Sequence, residues 1–551
     1  MTEKRCRRAG SPASGSGFSL EAALAAVAAA VPWRTAVISG ERRVPFVELD
    51  ERAGRFARHL REAGVRPGEH VAILAFNRVE WLEAAFGAWR AGAVPVNVNY
   101  RYVAGELRHV LSDADVVALV AERSLVGRVA EVRADLPRLR HVVLLEDGSP
   151  GPAALPGTDY ETALATARPA PTEPPRTCGD DLYLLYTGGT TGYPKGVMWR
   201  QEDLFHVALE RRRPGTPRAA GVDDLAARAR SAQARRMLVL GPLMHAAGQW
   251  NALSALLSGL TVVLNTDRRF VPERVVALAD REAVHTLQCV GDAMARPIGE
   301  QLLAEPHRCP ELTVVTSGGT PLTPTVREIW RSWRPGITLN DSYGGSETGV
   351  CGASQSDSAD TARRFTMGAS VAVLDDALRP LPPGSPQIGR IARTGRIPLG
   401  YYNDPVKTAE TFPVDAEGRR WAMSGDFGTV AADGSITLLG RGSAVINTGG
   451  EKVYPEEVES VLKAHPDIDD TIVVSAPDER LGQRVAAVVA LAPGRRPSDE
   501  QIRDFCRARL AGFKVPRRIH VVAEVKRTAV GKQDYRWAAA VARGTVPSGE
   551  R

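Results

Sequence analysis

The sequence predicts an α/β protein: a large layered N-terminal α/β domain followed by a small C-terminal α+β domain. Three observations carry this. The chain has 551 residues, well beyond the roughly 250–300 at which one hydrophobic core stops growing. Apolar residues make up 44% and charged residues 24%, the usage of folded proteins and not of disordered or fibrous ones. Short apolar runs alternate with amphipathic helical patterns, the signature of parallel strands layered under crossover helices.

Taken in order, residues 1–17 (MTEKRCRRAGSPASGSG) read as a disordered tail leading into an Ala-rich helix, FSLEAALAAVAAAVPW. Glu21 interrupts that apolar run and no small-residue cleavage site follows, so it does not read as a signal peptide. From Val44 to Val120 the pattern runs helical FVELDERAGRFARHLREAG, strand-like HVAILAF, helical RVEWLEAAFGAWRAG, strand-like AVPVNVN. VVALV, HVVLLE, LYLLYT, MLVLGP, TVVLNT, HTLQCV and LTVVTS continue as strands, which extends the large domain over 18–440. The Arg-rich segment 211–236 reads as a long surface loop with a helical turn or more; no aromatic residue interleaves with its arginines, so it is not a nucleic-acid patch. The Gly-rich LLGRGSAV places a hinge at 441–443, and EEVESVLKAH, TIVVSAP, RVAAVVAL, DEQIRDFCRARL and IHVVAEV fill a small domain over 444–551.

Several function classes fall away on composition. With 70 Lys+Arg against 64 Asp+Glu, the net charge of +6 is too thin a surplus for a nucleic-acid partner. No stretch reaches the ~18 apolar residues of a membrane span. The 6 cysteines, Cys6, Cys178, Cys289, Cys309, Cys351 and Cys506, form no C-x-x-C pair and no zinc-like cluster with histidine, which points to a reducing cytoplasm.

The most informative stretch is YTGGTTGYPKGV, Tyr186 to Val197, directly after an apolar strand. Small and hydroxyl residues there can turn backbone N–H groups and threonine hydroxyls toward a polyphosphate, with Lys195 as counter-charge. It is not a Walker A loop, because Lys195 follows Pro194 and precedes Gly196. Further along come PLMHAAG (242–248), SGGTPL (317–322), DSYGGSETG (341–349), SGD (424–426), GRGSAVINTGGEKVYPEEVE (440–459) and VGKQDYR (530–536).

In order and spacing this set resembles the adenylate-forming superfamily of acyl-CoA synthetases, peptide-synthetase adenylation domains and beetle luciferases, from about Phe18 to Trp537. The resemblance implies ATP and Mg²⁺ as requirements and coenzyme A as thiol acceptor. A carboxylate does not react with a thiol at neutral pH; joining it to AMP removes the deactivating charge and supplies a leaving group. By the resemblance, Thr187, Thr190 and Thr191 contact phosphate oxygens with Lys195 assisting pyrophosphate, Ser346 stands at the α-phosphate, Gly188, Gly189 and Gly344 belong to the nucleotide-binding set, and Glu347 is the Mg²⁺ ligand. Tyr343 offers adenine a face, and Asp341 with Gly318, Gly319, Thr320 and Pro321 reads its edge. Asp426 accepts the ribose hydroxyls with Arg441 beside it. Lys532 reaches the carboxylate and α-phosphate during adenylation. The small domain is mobile, turning between half-reactions so that Gly449 and Gly450 let pantetheine pass close to the backbone.

Two positions depart from the pattern: Lys526 stands where proline is common, and Ser443 where the hinge residue is often Asp or Lys. His245 resembles the gate between acyl pocket and thiol tunnel. No acidic residue lies between Pro242 and Trp250, so an amino-acid substrate would bury an unpaired ammonium. VMWRQEDLF, VGDAMARP and GKQDYRWA resemble most closely the bacterial fatty-acyl and steroid side-chain CoA ligases, which implies a large apolar carboxylic acid. An acyl carrier protein remains the alternative acceptor, since both thiols share the pantetheine arm. A binding-only protein is disfavoured because Lys532, Glu347 and Asp426 are all present.

Overall fold

The computed structural model describes residues 18–150, 154–167, 177–188, 193–212, 215–319, 322–354, 363–441, 445–448, 451–478, 482–510, 512–527 and 533–545. The tail expected at 1–17 and the hinge residues Gly442 and Ser443 lie outside the described residues.

Among the described residues the chain forms sheets of 13, 8 and 5 strands. In the 8-stranded sheet, His70–Leu74, Val94–Asn97, Val116–Glu122 and His141–Leu145 run parallel, as their near-continuous apolar character requires when both faces are covered. Helix Phe46–Glu62 buries Phe46, Leu49, Ala53, Phe56, Ala57 and Leu60, a stripe at three- and four-residue spacing. It packs on Val79–Arg90, where a Cβ on Gly87 would fall 2.8 Å from the Ala53 carbonyl oxygen; only glycine permits so close a crossing. Helix Val79–Arg90 is buried along nearly its whole length, and its two buried acids are paired, Glu80 with Arg78 and Glu83 with Arg52, each at 2.7 Å.

The 13-stranded sheet has a parallel half made of Thr35–Ser39, Thr261–Leu264, Arg236–Val239, Thr286–Cys289, Val314–Gly318 and Thr338–Gly345. Beyond Gly345 the expected parallel rhythm stops. Gly349–Ser354, Arg363–Met367, Ile436–Arg441, Trp421–Val430, Gly389–Thr394 and Val371–Leu374 extend the sheet in antiparallel pairs. A parallel neighbour needs a crossover of a dozen residues or more; between Val430 and Ile436 there is only a turn at Gly434, φ +79°.

The Arg-rich segment holds the helical portion expected within it, but longer and packed on the protein where a surface loop was expected. It contains a ten-residue helix, Val222–Ser231, which buries Leu225, Ala226 and Ala229 and lies on helix Leu20–Ala30. Arg34 holds its C-terminal end, donating to the carbonyls of Ala229 at 3.0 Å and Ala232 at 3.3 Å. The arginine count obscured a three- and four-residue apolar spacing that only a neighbouring helix makes useful.

The small domain contains the 5-stranded sheet, with Ile468–Asp478 and Gly482–Leu491 antiparallel and Arg518–Val522 added in parallel. Helices Pro455–Lys463 and Asp499–Arg507 cover one face through Val458, Leu462, Ile502 and Cys506, and Tyr535–Arg543 covers the other through Ala538 and Val541. Arg296 of the large domain meets Asp469 of the small one at 3.3 Å. No helix among the described residues is long and apolar enough to cross a membrane.

Candidate active site

Strands Leu182–Thr187 and Lys195–Arg200 form an antiparallel hairpin with Thr187 opposite Lys195, so the Gly/Thr segment joins the two ends. Thr187 and Gly188 are described at its start; Gly189, Thr190 and Thr191 lie outside the described residues. Lys195 ends the segment, its ammonium paired with Asp404.

The hairpin is tied to the turn that precedes His245. The buried Asn97 amide donates to Tyr186 O at 2.8 Å and to Met244 O at 2.7 Å, and its oxygen accepts the Tyr186 N–H at 2.8 Å. Asn77 accepts from Leu243 N at 2.8 Å, and Gln288 accepts from Gly241 N at 2.9 Å. Three amides thus fix residues 241–244, which leaves His245 half-buried at the entry of helix Ala246–Leu256. A Cβ on Gly248 would fall 2.3 Å from Gly241 O, so the helix starts directly on the turn.

Strand Thr338–Gly345 turns at Ser346–Thr348 and returns as Gly349–Ser354, with Gly345 opposite Gly349. Trp199 Nε1 donates to Ser346 O at 2.9 Å, and the buried Arg393 donates to Thr348 O at 3.2 Å and Val350 O at 2.7 Å. These bonds hold the turn so that Glu347 is half-buried, its Oε1 accepting the Tyr401 hydroxyl at 2.9 Å. Gly344 is required here, because its Cβ would lie 2.1 Å from Gly349 O. Gly349 has φ +65° and its Cβ would lie 2.1 Å from Val207 Cγ1. Gly349→Ala therefore combines left-handed backbone with overpacking. The expected loss is about 2–3 kcal/mol of stability, read as a fall in Tm that Val207→Ala partly reverses; an unchanged Tm contradicts it.

On the same strand, the Tyr343 hydroxyl donates to Asp426 Oδ2 at 2.8 Å, and Ser424 donates to the same oxygen at 2.7 Å. Burial and the nearby Asp426 carboxylate push the Tyr343 phenol well up, so it stays a donor. Its ring lies 5.4 Å from that of Phe365. Asp426 stands opposite Arg441 in the antiparallel ladder. Asp341 is buried: it accepts the Leu322 N–H at 3.1 Å, and its Oδ2 lies 3.8 Å from Arg327. Here its carboxylate organises the end of the loop that begins at Gly318 and Gly319, where Gly319 has φ +90°. Thr320, Pro321, Gly449, Gly450 and Lys532 lie outside the described residues.

The structure thus links expected residues on and beside the turn 346–348: Tyr343 meets Asp426, and Glu347 is connected through Tyr401, which was not expected, to Lys195. Asn97, Asn77, Gln288, Arg393, Tyr401 and Asp404 were missed. Asn97 carried a signal, being a polar residue inside an apolar strand run, and Asp404 another, preceding Pro405 as a helix cap. Among the described residues no group of three or more His, Cys, Asp or Glu side chains is arranged for a metal. One half-buried carboxylate at a phosphate-type loop fits Mg²⁺ that arrives with a nucleotide, since that ion keeps water and phosphate oxygens as its other ligands.

The chain is similar to known proteins along most of its length. Residues 24–402 match the AMP-binding enzyme family, and residues 457–532 match the AMP-binding enzyme C-terminal domain. The chain is 41% identical to a 3-oxocholest-4-en-26-oate–CoA ligase of Rhodococcus rhodochrous, over 92% of this chain and 93% of that protein. It is 42% identical to a medium/long-chain-fatty-acid–CoA/3-oxocholest-4-en-26-oate–CoA ligase of Mycolicibacterium smegmatis, over 92% and 94%. The fold is also that of ATP-bound MatB from Rhodopseudomonas palustris, with TM-score 0.78 at 24% identity over 95% of this chain and 99% of that one.

Proposed function

The chain belongs to the AMP-binding enzyme family, and from that membership we propose that it is an ATP-dependent acyl-CoA synthetase acting on large apolar carboxylic acids, fatty acids or steroid side-chain acids. The observation that carries the reading is 41–42% identity over nine-tenths of the chain to ligases of that class.

The reaction has two halves. The carboxylate oxygen attacks the α-phosphorus of ATP, forming acyl-AMP and expelling pyrophosphate; the thiol sulfur of CoA then attacks the acyl carbon, and AMP leaves. Thr187, Gly188, Gly189, Thr190, Thr191 and Lys195 hold the departing phosphates, and Ser346 lies at the α-phosphate, where donors fixed beforehand are worth most. Glu347 would hold Mg²⁺, which when bound supplies charge neutralisation on the phosphate oxygens. Asp426, positioned by Tyr343 and Ser424, accepts the ribose hydroxyls with Arg441 alongside, and Tyr343 borders the adenine with Gly318 to Pro321. Lys532 acts in the first half-reaction only. Gly449 and Gly450 then face the pantetheine arm after rotation about 441–443, and His245 gates the acid from the thiol. The compartment in this reading is the cytoplasm, supported by the six scattered cysteines of the sequence, which form no C-x-x-C pair.

Burying each further methylene of the acid contributes about 0.8 kcal/mol. Octanoate and a steroid side-chain acid are therefore expected to exceed acetate and free amino acids at least tenfold in kcat/KM. The assay follows pyrophosphate release and thioester formation, with CoA and with a phosphopantetheinylated carrier protein offered separately. Preference for acetate or an amino acid would falsify the substrate class; faster loading of the carrier protein would replace CoA as acceptor.

A further inference from the structure

One short segment holds both Lys195, expected at the phosphates, and Glu347, expected at Mg²⁺. Gly400–Tyr401 pairs antiparallel with Lys195–Arg200, Tyr401 opposite Val197, which brings the following turn beside Lys195. There Asp404 Oδ2 takes the Lys195 ammonium, which also lies 5.9 Å from the Tyr401 ring centroid. The Tyr401 hydroxyl bonds Glu347. Asp404 is itself immobilised. Its Oδ1 caps helix Pro405–Thr411 through Lys407 N at 2.9 Å, and its carbonyl accepts the Thr408 hydroxyl at 2.7 Å. Neighbouring Tyr402 and Asn403 anchor the turn to Asp115 and to the Asp113 carbonyl, each at 3.0 Å.

One carboxylate oxygen thus serves the fold while the other faces Lys195. The lysine's hydrogen bond holds the Asp404 carboxyl below its ordinary range, so it is a full negative charge at neutral pH. The pair is about one-third exposed, 34% and 28%; such a pair contributes little net stability, and a polyphosphate can displace it. Any fixed anion at that point also opposes the approach of another.

Resting on the reading that Lys195 meets the departing phosphates, we propose that Asp404 is a positioning residue that holds Lys195 between turnovers and competes with ATP and pyrophosphate for it. Easier loss of pyrophosphate follows, at the expense of tighter nucleotide binding.

The test uses Asp404→Asn in the full-length protein. Asparagine keeps the helix cap, because its side-chain oxygen still accepts from Lys407 N, and removes only the charge. Binding of inorganic pyrophosphate measured by calorimetry should tighten threefold to tenfold, and KM for ATP should fall by a similar factor with no parallel rise in kcat. Asp404→Glu returns the charge and should move both values back, whereas a purely structural role predicts no change in either with Asp404→Asn. Unchanged or weaker pyrophosphate binding in Asp404→Asn overturns the proposal. Absence of acid-dependent ATP–pyrophosphate exchange in the wild-type protein would instead overturn the adenylation reading on which it rests.

Discussion

Lys532→Ala is expected to slow acyl-adenylate formation by about 10²- to 10³-fold, the loss typical of removing one donor from a charge-stabilising site. Thioester formation from supplied acyl-AMP and CoA should stay within about threefold, because the lysine acts only while the small domain presents it to the first half-reaction. The residues flanking it are firmly part of the small domain. Arg527 and Gln533 pair as a β-bridge, Gln533 donates to Thr471 O at 2.9 Å, and Tyr535 bonds Glu459 at 3.2 Å. Pyrophosphate release and acyl-CoA formation from synthetic acyl-AMP, measured on one preparation, separate the half-reactions. Equal losses in both would remove Lys532 from the role assigned to it.

The second large effect is expected at Asp426. Removing its carboxylate by Asp426→Ala deletes the acceptor proposed for the ribose hydroxyls and also leaves the buried Tyr343 hydroxyl without the partner it has at 2.8 Å. Hydrogen bonds to a charged group are worth roughly 1.5–3 kcal/mol each, so KM for ATP should rise by about 10²-fold or more. The diagnostic readout is sugar discrimination. The wild-type enzyme should favour ATP over 2′-deoxy-ATP and 3′-deoxy-ATP, and Asp426→Ala should treat the three nearly alike. Tyr343→Phe should give a smaller rise, because Ser424 still holds the same carboxylate oxygen at 2.7 Å. If Asp426→Ala still distinguishes ribose from deoxyribose as the wild type does, the carboxylate does not read the sugar.

How much of this was legible in the chain itself follows from the range of the forces involved. The parallel strands from His70 to Gly318 and the helices between them were readable because period and run length are local properties, as were the Gly/Thr segment and the motif at 341–349, whose Gly344 and Gly349 meet local backbone demands. The antiparallel extension after Gly345 was not readable. Strands such as Gly389–Thr394 are short and mixed in character, and their direction depends on the partner and connection they find. The length and packing of helix Val222–Ser231 were hidden for a similar reason, since three buried residues gain value only against helix Leu20–Ala30.

The site divides along the same line. Residue types at fixed spacing, Lys195, Glu347, Tyr343 and Asp426 among them, were determined by sequence alone, because their chemistry is intrinsic to the side chain. Only the tertiary structure decided what each one faces. Asp341 is committed to Leu322 and Arg327, Tyr343 to Asp426, Glu347 to Tyr401, and Lys195 to Asp404, 209 positions away along the chain. Hydrogen bonds and ion pairs act over a few ångströms of space, and separation along the chain carries no record of that distance until the sheets have formed.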